Sequence, residues 1–138
     1  MGRVLAIDYG TKRVGLAVTD ELKMIANMLD TVHSKDIIIY IEQYLKTHTV
    51  DIFVVGEAKQ MNNTPSESAV YIDGFIKQLQ KKFPQINIVR IDERFTSKMA
   101  FQTMIDSGIN KKARKNKALV DGISATIILQ TYLELYNP

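Results

Sequence analysis

The stretch VLAIDYGTKRVGLAVTD, residues 4–20, decides how this chain is read. Two runs rich in β-formers, 4–9 and 14–19, flank Gly10 and Thr11, and this predicts a β-hairpin. Within the first run stands a carboxylate, Asp8, preceded by Val4, Leu5, Ala6 and Ile7. An ionised carboxylate in a central strand is costly unless a cation or hydrogen-bond donors meet it. The plain alternative is an aspartate bonded to the turn that follows, a common role before glycine. Asp8 sits inside the strand pattern rather than at the turn's centre, which favours a functional carboxylate.

Outward from the hairpin, residues 24–32 predict a third strand with weak alternation. Residues 34–47 predict a helix with Ile38, Ile41 and Leu45 on one face and Ser34 as N-cap. VDIFVVGE, 50–57, reads as a buried strand. TPSE then opens a helix: Thr64 caps, Pro65 suits the first turn and Glu67 completes a capping box. Its stripe of Ile72, Phe75, Ile76, Leu79 and Phe83 is core, and it stops before Pro84. INIVRID, 86–92, is a further strand, 96–107 a helix ended by Gly108, and 117–136 a last helix with Val120, Ile123, Ile127 and Tyr132 or Leu133 inward. The order β-β-β-α-β-α-β-α-α predicts an α/β domain over residues 1–138: a mixed five-stranded sheet with helices on both faces.

The chain has 138 residues, enough for one core, and no cysteine. That excludes disulfides, thiol nucleophiles and cysteine-bound zinc. No signal peptide precedes the first strand and no run is long enough to span a bilayer, so a cytoplasmic protein away from membranes is expected. The net charge is +3, and Lys111, Lys112, Arg114, Lys115 and Lys117 fall within NKKARKNK, residues 110–117, without an acid. Without those five the balance would be acidic. Such a run is usually a solvated loop, and it is also what a polyanion contact needs.

In open α/β sheets, sites form beyond the carboxyl ends of parallel strands. Asp8, Glu57, and the pair Asp92 and Glu93 all fall at strand ends, and Asp121 near the start of the last helix. Asp92 and Glu93 alternate, so only one of them can join a given cluster; Arg94 beside them could serve as a plain ion-pair partner. Asp121 could simply favour a helix N-terminus, but it shares a helical face with small, apolar Ala125 and Ile128. If Asp8, Glu93 and Asp121 converge, three carboxylates repel unless a cation joins them. Oxygen donors favour magnesium or manganese, and two such ions can activate a water and stabilise the leaving oxygen in phosphodiester cleavage.

AIDYGTKRVGLAVTD, FVVG, IDERFTS and KALVDGISATIILQTYL, in this order and spacing, resemble the YqgF family over nearly the whole chain. This family is also called RuvX, the Holliday-junction-resolvase-like nucleases of ribosomal-RNA precursors. The resemblance implies a ribonuclease H-like fold and a metal-dependent nuclease that trims the 5′ end of pre-16S rRNA, with four-way DNA junctions as the alternative substrate. It implies Asp8, Glu93 and Asp121 as ligands of Mg2+ or Mn2+, two ions in all. Asp92 and Glu57 are second-rank candidates, Glu57 with a solvent-facing loop acid as its preferred plain reading. Lys12 and Arg13 would lie near the scissile phosphate, and Arg94 and Thr96 beside Glu93. The basic run would add phosphate contacts to structured RNA or branched DNA, or to ribosomal precursor particles. One segment departs from the family: where members carry proline after VVG and then a glycine-containing loop, this chain has VVGEAKQMNNTPSES with Ala58. His33 and His48 are expected away from the acids.

Two other classes share features. Actin-like ATPases also open with an Asp-x-Gly-Thr hairpin, but need a second domain and a second hairpin for which this chain has no length. A non-catalytic RNA-binding assembly factor on the same fold would retain the acids without turnover.

Overall fold

The computed structural model describes residues 2–10, 12–23, 25–57, 69–92 and 117–136, with backbone alone at 57, 69–70, 92 and 117–121. The elements are β1 (Arg3–Tyr9), β2 (Arg13–Thr19), β3 (Ala26–His33), α1 (Ile37–Leu45), β4 (Val50–Glu57), α2 (Ala69–Lys82), β5 (Asn87–Asp92) and α3 (Lys117–Tyr136). The expected helix over 96–107 and the capping segment around Thr64 and Glu67 lie outside the described residues. The sheet has five strands in the order β3-β2-β1-β4-β5. β1 pairs antiparallel with β2, and β2 with β3, while β1, β4 and β5 run parallel. This is the mixed sheet expected.

The two faces of the sheet differ in side-chain size. Leu5, Ile7, Leu16, Phe53 and Val55 face one way, onto Ile37 and Ile41 of α1 and Ile72, Phe75, Ile76 and Leu79 of α2. Val4, Ala6, Ala17, Val54 and Ile91 face the other way, onto Ala125, Ile128, Leu129 and Tyr132 of α3. Period-2 alternation separates the two sets. Three alanines among the second set let α3 lie close to the strands. The packed stripe of α3 therefore centres on Ala125, Ile128 and Tyr132, and Ile123, expected inward, is only half-buried.

α1 starts later than the sequence suggests. Its N-cap is Asp36, whose side chain makes no cap bond. Ser34 belongs instead to the turn leaving β3, where its amide donates to the Lys12 carbonyl at 3.1 Å. The Asp36 amide donates to the His33 carbonyl at 2.9 Å, and this tight turn uses the residues that would have formed the helix's first turn.

At the opposite end, the β1–β4 register shifts between Arg3 and Val4. The Val4 amide donates to the buried Thr19 hydroxyl at 2.9 Å. Thr19→Val keeps the shape and removes the acceptor. It is expected to destabilise the protein by about 1–3 kcal/mol, the cost of a buried amide left unpaired. Chemical denaturation should show this loss, and Thr19→Ser should restore most of it.

Asp51, at the start of β4, accepts from Lys23 Nζ and from the Gly2 amide, both at 3.0 Å. The Lys23 hydrogen bond, outweighing burial and helped by the Gly2 amide, holds the Asp51 carboxyl below its usual range. A lowered folded-state pKa stabilises above the unfolded value, and that contribution is lost as pH falls through the folded value. Wild type and Asp51→Asn should therefore differ in thermal midpoint at neutral pH and converge in acid below the ordinary carboxylate range. The pair is two-fifths exposed at its carboxylate, so the difference should be small and shrink with salt.

Candidate active site at the carboxyl end of the sheet

β1, β4 and β5 run parallel, so their last residues lie at one end of the sheet. The β1–β2 hairpin turns at that end: the Gly10 amide donates to the Arg13 carbonyl at 2.9 Å. A Cβ on Gly10 would stand 2.7 Å from that same carbonyl oxygen, so the turn requires glycine. Tyr9 closes β1 by stacking on Phe75 of α2, with ring centroids 4.4 Å apart and planes at 11°.

Asp8 is half-buried and continues the parity of Val4 and Ala6, so it belongs to the α3 face. Its register partner on β2 is Gly15. On β4, the pairing of Ile7 with Val55 brings Gly56 beside Asp8, and Gly56 in turn pairs with Ile91. The carboxylate is thus flanked on both neighbouring strands by residues without side chains. Glycine inside a strand weakens it and marks a place where something approaches the backbone closely. RVGLAV and FVVG carry this signal in the sequence, where a search for acids alone overlooks it.

Arg13 shares the parity of Gly15 and Ala17 and so joins Asp8 on the α3 face, half-buried. Its register partner is His33. β3 runs in the same direction as β1, so His33 lies at the carboxyl end of the sheet, on the edge strand with β2 between it and Asp8. The His33 Nδ1 accepts from the Lys35 amide at 3.1 Å. Thr31, the register partner of Gly15, extends the same row. Lys12 is exposed in the hairpin turn. His48 lies at the other end, stacked on Tyr44.

Asp121 is placed by its backbone in the first turns of α3, one and two turns before Ala125 and Ile128. Those residues contact the Val4–Ala6 face, so position 121 lies on the helix stripe that addresses the face of Asp8. Lys117 opens α3. Glu57 and Asp92 end β4 and β5 and are register partners. Position 57 shares the parity of Phe53 and Val55, and position 92 that of Ile88 and Arg90; Phe53, Val55 and Ile88 pack on the α1 and α2 side, and Arg90 bonds Asp73 of α2. Glu93, Arg94, Thr96, Lys111, Lys112, Arg114 and Lys115 lie outside the described residues. Among the described residues, no three His, Cys, Asp or Glu side chains gather closely enough to hold a metal ion. The environment of Asp8 nonetheless fits a hard cation: an oxygen donor on a rigid strand, unobstructed by side chains of its register neighbours.

The family described as RuvX, Holliday junction resolvase, matches residues 2–135. A relative from Christiangramia forsetii named "Putative pre-16S rRNA nuclease" is 59% identical over 133 residues, covering 96% of this chain and 98% of its own length. A relative of the same name from Flavobacterium johnsoniae is 53% identical over 133 residues, covering 96% of each chain. Among solved structures, Thermus thermophilus RuvC in complex with a Holliday junction substrate superposes with a TM-score of 0.59 at 15% identity, over 99% of this chain and 97% of that one. At that identity the likeness shows the fold alone, the ribonuclease H-like arrangement expected from the sequence.

Proposed function

The chain belongs to the RuvX family, and from that premise we propose that it is a nuclease that hydrolyses phosphodiester bonds in maturing the 5′ end of pre-16S rRNA. The observation that carries the proposal is the placement of Asp8: a carboxylate on the α3 face of a central strand, between Gly15 and Gly56.

Asp8, Glu93 and Asp121 are the proposed ligands of magnesium or manganese. Asp8 and position 121 belong to the two sides of one sheet–helix interface. Sequence alternation assigns Asp92 and Glu93 opposite faces, and the ligand role proposed goes to Glu93. Glu57 and Asp92, register partners at the ends of neighbouring strands, are second-rank ligand candidates. The bound ions would supply an activated water and charge for the leaving oxygen. The protein's own part is to fix its carboxylates on rigid elements and to hold the phosphate. Arg13, on the face of Asp8, and Lys12 in the adjoining turn would meet the phosphate backbone. Arg94, Thr96 and the run of Lys111, Lys112, Arg114, Lys115 and Lys117 would extend that contact. Phosphate contacts position a strand without reading its sequence, and binding should weaken steeply with salt.

A second reading, cleavage of four-way DNA junctions, is favoured by the description of the matching family. The test sets labelled ribosomal-RNA precursor beside a four-way junction, each with magnesium, manganese or chelator, with Asp8→Asn and Glu93→Gln as controls. Metal-dependent cleavage lost in both variants supports the nuclease, and the preferred substrate decides between the readings. Salt-sensitive binding without cleavage of either substrate overturns both in favour of a non-catalytic RNA-binding assembly factor.

A further inference from the structure

α2 buries Ile72, Phe75, Ile76 and Leu79 against the sheet. Its opposite face carries Tyr71, Gly74, Lys77, Gln78 and Lys81, which fall in one stripe at 3.6 residues per turn. None of the five is acidic. The carboxylates bordering the stripe are already held, Asp73 by Arg90 and Glu42 by Lys82, both at 2.9 Å. Lys77 and Lys81 have no ion pair among the described residues, so the stripe presents net positive charge to solvent.

Gly74 stands in the middle of the stripe. A Cβ there would meet no described atom within 4 Å. Packing of the described chain therefore does not call for glycine, and glycine is a poor residue for a helix interior. Its effect is a notch that lets another molecule approach the helix backbone. One turn towards the candidate active site stands Tyr71, 59% exposed, a ring on which a base can stack. Beside the stripe, a cleft of about 470 Å³ between α1 and α2 is lined by Ile38, Gln78, Lys81 and Lys82. An apolar wall, an amide and the Lys81 ammonium match a base's flat face, its polar edge and a flanking phosphate, while the Lys82 ammonium is already held by Glu42.

We infer that the outer face of α2, with the adjoining α1–α2 cleft, binds a nucleic-acid strand through its phosphates and an unstacked base. Phe75 of α2 stacks on Tyr9, the residue after Asp8, so the N-terminal turns of α2 adjoin the carboxyl end of the sheet. From Tyr71 to Lys81 the stripe runs about 15 Å, at 1.5 Å per residue, away from that end. α2 covers the sheet face opposite Asp8, so a strand bound along it would reach the point of cleavage over the carboxyl edge of the sheet. In taking substrate as its ligand the inference rests on the proposed function, but binding itself needs no chemistry. A second copy of the chain is the poorer occupant, because a two-fold contact would set lysine against lysine.

The test measures fluorescence anisotropy of a labelled single-stranded RNA of about 12 nucleotides, and of DNA of the same sequence, in chelator over a range of salt. Lys77→Gln/Lys81→Gln is expected to weaken RNA binding about tenfold and to reduce the salt slope by about 1.4, at roughly 0.7 for each phosphate no longer neutralised. Gly74→Gln is expected to weaken binding while raising the thermal midpoint, which separates a blocked surface from an unfolded protein. Parallel effects on DNA would assign the surface to the phosphate backbone, and effects on RNA alone to a ribose-reading contact; both support the inference. Unchanged affinity and slope in the folded double variant overturn it, as does a dimer in sedimentation that the double variant abolishes. Cleavage of a short substrate, assayed separately with metal, keeps the two readings distinguishable. Cleavage with lysine-independent binding sinks this inference alone, and lysine-dependent binding without cleavage sinks the nuclease alone.

Discussion

Asp8→Asn is expected to lower the rate of phosphodiester cleavage roughly a thousandfold, about 4 kcal/mol of transition-state stabilisation. The amide fills the space of the carboxylate but carries no charge, so it is a poor ligand for a hard cation. Asp8 stands on β1 between β2 and β4, with glycine as its neighbour on each side. Neither glycine offers a side chain that could take over the role. The same change should leave RNA affinity in chelator unaltered or raised, since a negative charge leaves a surface that must receive phosphates. The check is single-turnover cleavage beside equilibrium binding and a thermal melt. Near-wild-type cleavage by a folded Asp8→Asn protein would remove Asp8 from the mechanism. If Asp8→Asn fails to fold, Glu93→Gln carries the same test.

Phe53→Ala is expected to be the most damaging of the core changes, at about 3–5 kcal/mol. Phe53 is fully buried in β4, and its ring meets Phe83 edge-on, with centroids 5.8 Å apart and planes at 72°. It stands between β4 and the α1 and α2 side, where large side chains interlock and collapse around a cavity is limited. Native stability is typically about 5–15 kcal/mol, so one substitution removes a large share of it. Val54→Ala, one residue along on the α3 face, deletes less volume beside residues that are already small. It should cost about 1–2 kcal/mol. Urea denaturation of the two variants tests the asymmetry between the faces. Equal losses would contradict it.

Much of this fold was legible because its signals are local. The hairpin follows from two β-rich runs around Gly10, and the glycine is required there because a side chain would strike the Arg13 carbonyl. α2's buried stripe and the bounds of α3 follow from spacing within one helix. Ser34 shows where local signals fail. Its residue type suits an N-cap, but the hairpin turn offers its amide the Lys12 carbonyl, and the helix begins three residues later. His33 shows a second limit, since only the pairing of β3 with β2 brings it beside Arg13.

The sequence by itself determined that Asp8 lies in a strand, that Asp121 shares a helix face with Ala125 and Ile128, and that Asp92 and Glu93 cannot share a face of one strand. Only the tertiary structure decided which of those faces coincide. Alternation divides each strand into two sides without saying which side of one strand meets which side of the next. Register settles this: Asp8 opposite Gly15, Ile7 beside Val55, and Glu57 beside Asp92. Those pairings join residues far apart along the chain through backbone hydrogen bonds. Backbone groups are the same at every residue, so the choice among possible registers rests on how both faces of the assembled sheet bury their side chains at once.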